Sequence, residues 1–191
     1  MENRLRLRTV IWEIIFPLVL YYIAFLSTMY FIFAFIGRSS ATYMVAQIIA
    51  AAVTIPLMYF ASYKPTQEAF SGKPHISKEL GINIIYIVVI TLLISLALNN
   101  IISMTPLVKM SGGYAQANEN FYGSTLMLEL IGSAILSPIM EELVFRGIVF
   151  GNLRKITGTG TAIFLSAFLF GIVHFNIVQF IYAFLLGIVL A

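Results

Sequence analysis

Four ionisable side chains in the second half of the chain are of the types that could activate a water molecule. Glu141 and Glu142 are adjacent, Arg146 follows Glu142 by four residues, and His174 ends an apolar stretch. A carboxylate that acts as a general base, assisted by an imidazole, is the smallest set of groups that can make water a nucleophile. The sequence therefore predicts candidate hydrolytic chemistry at these residues.

The two acids are predicted to have different roles, because neighbouring residues of a helix do not face the same direction. Glu142 precedes Arg146 by four residues, which is the favourable order for an ion pair along one helix face. Glu141 has no cation three or four residues further on, so its carboxylate is expected to be free for a partner across the bundle. A structural charge cluster at the membrane–water boundary is the alternative interpretation.

His174 and Glu141 are predicted to lie at the same depth on adjacent antiparallel helices. The connector at residues 157–160 reads Thr-Gly-Thr-Gly, which is typical of a tight turn between helices. Glu141 lies 17 residues before residue 158 and His174 lies 16 after it. Equal helical rise then puts both about 25 Å from the turn, where they could share a water molecule. By itself, His174 could equally be an interfacial histidine at a helix end.

Membrane helices must position these residues, because the composition is that of a polytopic membrane protein. The 191-residue chain is 60% hydrophobic and 10% charged, whereas a soluble domain carries about 25% charged residues. Hydropathy predicts one all-α transmembrane helix bundle over residues 1–191, with polar links at 63–79, 104–123 and 157–160. The six predicted membrane helices cover residues 10–36, 42–62, 80–103, 124–140 with a helical continuation, 161–175 and 177–191.

The distribution of cations predicts a cytoplasmic N-terminus, since Lys and Arg concentrate on the inner side of a membrane. The predicted inner side carries Arg4, Arg6, Arg8, Lys64, Lys73, Lys78, Arg146, Arg154 and Lys155, and the outer side carries Arg38 and Lys109. The apolar run 10–36 is longer than the ~7–15 residues of a signal-peptide core, so an uncleaved first helix is expected. The chain has no cysteine, which excludes disulfides and cysteine catalysis.

The motif Glu-Glu-x-x-x-Arg at 141–146, within Ser-Pro-Ile-Met-Glu-Glu-Leu-Val-Phe-Arg-Gly, is followed by Phe-x-x-x-His at 170–174. Together they resemble the CAAX prenyl protease 2 and bacteriocin-processing (Abi, CPBP) family of intramembrane endopeptidases. The resemblance covers about residues 121–191. It implies that Glu141 is the general base, that His174 is the first catalytic histidine, and that Glu142 and Arg146 are the supporting pair.

The resemblance also implies hydrolysis of a peptide bond within or near the membrane. The substrate is a prenylated C-terminal tripeptide in eukaryotic members, whereas bacterial members serve peptide maturation, immunity to bacteriocins and membrane-protein regulation. The expected partners are a membrane-associated peptide or protein substrate and the lipid bilayer of a bacterial cell, with no nucleic acid. The oligomeric state is left open.

One family feature has no counterpart here, since the third motif, His-x-x-x-Asn or Asp, needs a histidine after His174 and none follows. A C-terminally truncated catalytic core is therefore expected over residues 121–191. The resemblance leaves open whether a divalent metal such as zinc takes part. With a metal, Glu141 and His174 would be two ligands, fewer than the three protein ligands of catalytic zinc.

Two other functions agree with the same residues. One is a non-catalytic immunity or scaffold protein of the same fold. The other is an ion-coupled transporter that uses Glu141 and His174 as a relay, since intramembrane acids and histidines serve this purpose too. The transporter is less favoured because the chain lacks paired, interrupted half-helices. His75, in a charged loop, is expected to be an ordinary surface residue.

Overall fold

The computed structural model describes Arg8, residues 10–68 and residues 78–190, without the side chains of residues 78–85. Eight helices and no strand occur in this part of the chain, so the predicted all-α class is confirmed. The helices are α1 (Val10–Ile36), α2 (Ser40–Glu68), α3 (Lys78–Ser103), α4 (Leu107–Met110), α5 (Gly112–Tyr122), α6 (126–156), α7 (Thr159–Ile172) and α8 (Ile177–Leu190). The predictions for His75, Arg4, Arg6 and Lys73 lie outside the described residues.

Three of the described helices are long and apolar enough to cross a membrane, so the chain is an integral membrane protein. They are α1, α2 and the Tyr86–Ser103 part of α3. The apolar helices α7 and α8 have 14 residues each, which is about 21 Å of helix, less than the ~30 Å of hydrocarbon. The sequence analysis expected six helices of near-spanning length, and α7 is shorter than that expectation.

The polar link predicted at residues 104–123 is mostly helical. Its larger part is α5, which begins after Ser111, whose side chain accepts a hydrogen bond from the backbone N–H of Tyr114 at 3.3 Å. Hydropathy missed this helix because its sequence is rich in Gly, Asn and Gln and has no apolar stripe. At its far end, the edge of the Phe121 ring meets Tyr43 of α2, 6.0 Å between centroids.

The motif helix α6 continues through Pro138 but is not the regular α-helix that the sequence analysis assumed. Over Leu130–Leu136 and Glu142–Phe150 its backbone hydrogen bonds reach five residues back rather than four. The Ser137 N–H, for example, donates to the Gly132 carbonyl. Pro138 has no N–H and cannot serve the carbonyl four residues earlier, so a widened turn is a way to continue the helix. Such turns are rare and often mark functional sites.

The start of α1 lies together with the ends of α2 and α6 at one end of the bundle. The buried Asn152 side chain donates to the Glu13 carbonyl at 2.7 Å and to the Thr66 hydroxyl at 3.1 Å. Lys155 pairs with the Glu13 carboxylate at 2.9 Å. The turn between α6 and α7 lies at the same end, because α6 ends at Ile156 and α7 begins at Thr159. The predicted tight turn is confirmed, and the cytoplasmic location of this end stays a prediction.

Candidate active site

The ring of Phe170 connects the two sequence motifs. Its centroid lies 5.1 Å from the Phe145 ring and 5.2 Å from the His174 ring. The Arg146 guanidinium carbon lies 4.6 Å from the same centroid. A second link between α6 and α7 is the Ser166 hydroxyl, which donates to the Phe145 carbonyl at 2.9 Å. The two motif helices therefore pack side by side at this level.

Glu142 and Arg146 form the ion pair that their spacing predicted. The Arg146 Nε lies 3.6 Å from Glu142 Oε1, and the side chains are 11% and 44% exposed respectively. All three guanidinium nitrogens are buried and lack a hydrogen bond in the part of the chain that the structure describes. The guanidinium stacks on Phe170 and lies close to α8, where a Cβ on Gly187 would come 3.4 Å from Arg146 Nη2.

Glu141 lies on a different face of α6, towards α1. It lies near Tyr21 and Tyr22 of α1. Tyr21 is buried, and the edge of its ring meets Phe145 at 6.5 Å. The predicted ion pair of Glu142 is thus present, whereas the separate role of Glu141 stays a prediction. The sequence analysis missed the two tyrosines because aromatic residues within an apolar helix carry no signal of their own.

His174 follows the end of α7 and is half-buried. Its Nδ1 lies 2.8 Å from the Phe170 carbonyl oxygen. A carbonyl oxygen only accepts hydrogen bonds, so Nδ1 carries a proton and the Nε2 of a neutral ring is an acceptor. α7 spans about 21 Å, so His174 lies roughly that far along the helix axis from the turn at residues 157–158.

Phe145 and Phe170 place Glu141 and His174 at similar depth. Glu141 lies four residues before Phe145 and His174 lies four after Phe170, so both are about one helical turn further from the 157–158 turn than the touching rings. No hydrogen bond or ion pair joins Glu141 to His174 among the described residues.

A groove of about 420 Å³ opens beside α6 on the face of the ion pair. The Gln67 amide donates to the Gly147 carbonyl across it at 3.3 Å, and Gly147 leaves room for the Tyr63 ring. The lining consists of Tyr63, Gln67, Ile139, Glu142, Leu143, Arg146 and Gly147. Glu141 and His174 are not part of this lining, so the groove leads to the supporting pair.

The described residues do not supply a full set of ligands for zinc. Within residues 10–68 and 78–190, no three His, Cys, Asp or Glu side chains lie close enough to hold one ion. Catalytic zinc takes three protein ligands. Glu141 and His174 are therefore insufficient by themselves to hold catalytic zinc.

The segment that carries both motifs matches a known family. Residues 123–191 match the sequence model of the type II CAAX prenyl endopeptidase Rce1-like family. This segment is similar to the Rce1-like family. It contains Glu141, Glu142, Arg146 and His174, and the resemblance drawn from the motifs is confirmed.

A curated relative is similar to a smaller part of the chain. The Bacillus subtilis (strain 168) protein named "Putative membrane peptidase YdiL" is 47% identical over 47 residues. The match covers 25% of this chain and 19% of that protein. No solved structure matches the chain.

Proposed function

We propose that this protein is an intramembrane endopeptidase that hydrolyses a peptide bond near the membrane with a water molecule activated by Glu141. The observation that carries the proposal is the contact of Phe170 with Phe145, Arg146 and His174, which brings the Glu-Glu-x-x-x-Arg and Phe-x-x-x-His motifs together. The Rce1-like match of residues 123–191 supports the same reaction class.

In the proposed reaction, one water molecule lies between the Glu141 carboxylate and His174 Nε2 and donates a hydrogen bond to each. Nε2 can accept because Nδ1 donates to the Phe170 carbonyl. The water oxygen attacks the carbonyl carbon of the scissile bond while Glu141 takes the proton, as a general base does. Glu141 then gives the proton to the leaving nitrogen, the C–N bond breaks, and a carboxylic acid and an amine are released.

Glu142 and Arg146 support this site rather than react. Arg146 of α6 stacks on Phe170 of α7, and the ion pair with Glu142 on the same helix holds the guanidinium in that position. The rotation of α6 about its axis is thereby fixed, and with it the direction in which Glu141 points. We infer that loss of either residue weakens catalysis by misplacing Glu141.

The test is cleavage in proteoliposomes of two probes, a farnesylated C-terminal peptide and an unmodified single-span membrane peptide. The substitution Glu141→Gln keeps the shape but removes the base, and it is expected to lower the rate about 100-fold or more, the usual contribution of general-base catalysis. His174→Ala is expected to have a comparable effect. Glu129→Gln is the matched control, because Glu129 is an acid at the start of the same helix.

Wild-type-like cleavage by Glu141→Gln would contradict the proposal. Bacteriocin protection that survives both Glu141→Gln and His174→Ala would instead indicate a non-catalytic immunity protein, and ion flux into the liposomes that needs both residues would indicate a transporter. Cleavage that a chelator abolishes and zinc restores would add a metal to the reaction. The probe that is cleaved identifies the substrate class.

A further inference from the structure

The short connection between α7 and α8 is held by the side chain of Asn176. Its Oδ1 accepts a hydrogen bond from the Gln179 N–H at 2.8 Å, which caps the first turn of α8. Its Nδ2 donates to the His174 carbonyl at 3.1 Å and also contacts the Gln179 side-chain oxygen. One side chain thus joins the backbone of His174 to the beginning of the next helix.

The connection needs such a restraint because its backbone is unusual. Phe175 has a φ of +54°, a left-handed conformation that residues with a side chain rarely adopt. The Phe175 side chain is 86% exposed, so its own packing does not hold the backbone there. Backbone hydrogen bonds of 3.2 Å from His174 N to the Gly171 carbonyl and from Phe175 N to the Ile172 carbonyl also restrain the connection.

Asn176 also fixes His174 relative to the rest of the site, through α8. In this helix the Phe180 ring and carbonyl come so close to α7 that a Cβ on Gly171 would lie 3.0 Å from them. Further along, Gly187 adjoins Arg146. A restraint between His174 and the start of α8 therefore connects the histidine to the helix that packs on the supporting arginine.

We propose that Asn176 is a positioning residue for His174. Its amide holds the His174 carbonyl, so that the ring keeps Nδ1 on the Phe170 carbonyl and Nε2 free. The catalytic consequence rests on the function proposed above, whereas the effect on the imidazole does not. Capping of α8 and positioning of His174 are separate tasks, performed by Oδ1 and Nδ2 respectively.

The variants Asn176→Ser and Asn176→Asp separate these tasks, because Ser and Asp are good helix caps but lack the amide donor. We expect kcat to fall at least about 10-fold in both, with KM and the melting temperature close to the wild-type values. Asn176→Ala should lose the cap as well and lower the melting temperature. Ser39→Ala is the matched control, since it removes the cap of α2, where Ser39 Oγ accepts from Thr42 N at 3.1 Å, and should leave kcat unchanged.

A second readout does not depend on activity. The chain has two histidines, so His75→Gln leaves His174 as the single imidazole in protein labelled with ¹⁵N-histidine. Solid-state NMR in lipid should show the Nδ1-protonated neutral ring in that background, and a mixture with the Nε2-protonated ring once Asn176→Ser is added. An unchanged tautomer together with an unchanged kcat overturns the inference, as does an Nε2-protonated ring before Asn176 is altered.

The two proposals fail in different ways. If neither probe is cleaved by the wild-type protein but the tautomer responds to Asn176→Ser, the endopeptidase proposal is wrong and the positioning of His174 stands. If the wild-type protein cleaves a probe and Asn176→Ser changes neither kcat nor the tautomer, the positioning proposal is wrong and the endopeptidase stands.

Discussion

At the scale of single residues, the surroundings of Arg146 allow the contribution of its ion pair to stability to be distinguished from the contribution of its packing. Its partner Glu142 is 44% exposed and lines the groove beside α6, and an ion pair that water can reach there contributes about 0–1 kcal/mol. The guanidinium itself is buried against Phe170 and next to Gly187. Cation–π stacking of a desolvated guanidinium and the packing of its apolar stem are the larger contributions.

We therefore predict that Glu142→Gln lowers the free energy of unfolding by less than about 1 kcal/mol, whereas Arg146→Ala lowers it by about 2–4 kcal/mol. Arg146→Ala leaves a cavity beside Phe170 and removes the countercharge of the acids. The measurement is thermal unfolding of the purified protein in detergent. Equal losses in the two variants would show that the ion pair, not the packing, is the main contribution.

At the scale of the helices, small residues allow α7 and α8 to approach closely. A Cβ on Gly187 would lie 3.0 Å from the Ala167 Cβ, closer than side chains normally come. Small residues at such contacts let helix backbones pack tightly in membranes, where no hydrophobic effect drives helices together. The same approach places α8 beside Arg146.

Gly187→Ala is expected to destabilise the protein by about 1–3 kcal/mol, as overpacking of a close contact does. Gly160→Ala is the matched control, because Gly160 is also helical but a Cβ there would meet nothing within 4 Å. This control should be neutral or stabilise by up to about 1 kcal/mol. Thermal unfolding in detergent measures both, and equal effects would mean that α7 and α8 do not depend on this contact.

At the scale of the whole molecule, one end of the bundle contains the start of α1 and the ends of α2 and α6. The hydrogen bonds of Asn152 and the pairing of Lys155 with Glu13 hold these three helix ends together. The connection between α1 and α2, with Arg38, lies at the opposite end of α1. Lys155, which the sequence predicts on the cytoplasmic side, lies at the first of these ends. Arg38, which the sequence predicts on the outer side, lies at the other. The positive-inside rule predicts that the end with Lys155 faces the cytoplasm.

The orientation is testable because the chain has no cysteine. Glu68→Cys, at the end of α2 near Asn152, should react with a membrane-impermeant maleimide only after the cells are opened. Tyr122→Cys, at the end of α5 near the start of α2, should react in intact cells, since Tyr122 is 74% exposed. The reverse pattern would place the N-terminus outside.

The sequence by itself determined what depends on composition or on residues one helical turn apart. Its apolar composition specified a helical membrane protein, since only internally hydrogen-bonded elements are stable in lipid. The spacing of Glu142 and Arg146 specified their ion pair, and the Thr-Gly-Thr-Gly connector specified the turn after α6. These interactions lie within one or two turns of the chain, so spacing is enough to predict them.

Only the tertiary structure decided which side chains meet across helices. Three such contacts depend on how each helix is rotated and how closely it packs. They are the approach of Tyr21 and Tyr22 to Glu141, the contact of Phe170 with Arg146, and the opening of the groove onto Glu142. The widened turns around Pro138 add to this, because they change the direction of every residue after them. The hydropathy pattern does not reveal these rotations, because α1 and α7 are apolar on nearly every face and no polar stripe marks the side that faces lipid or protein.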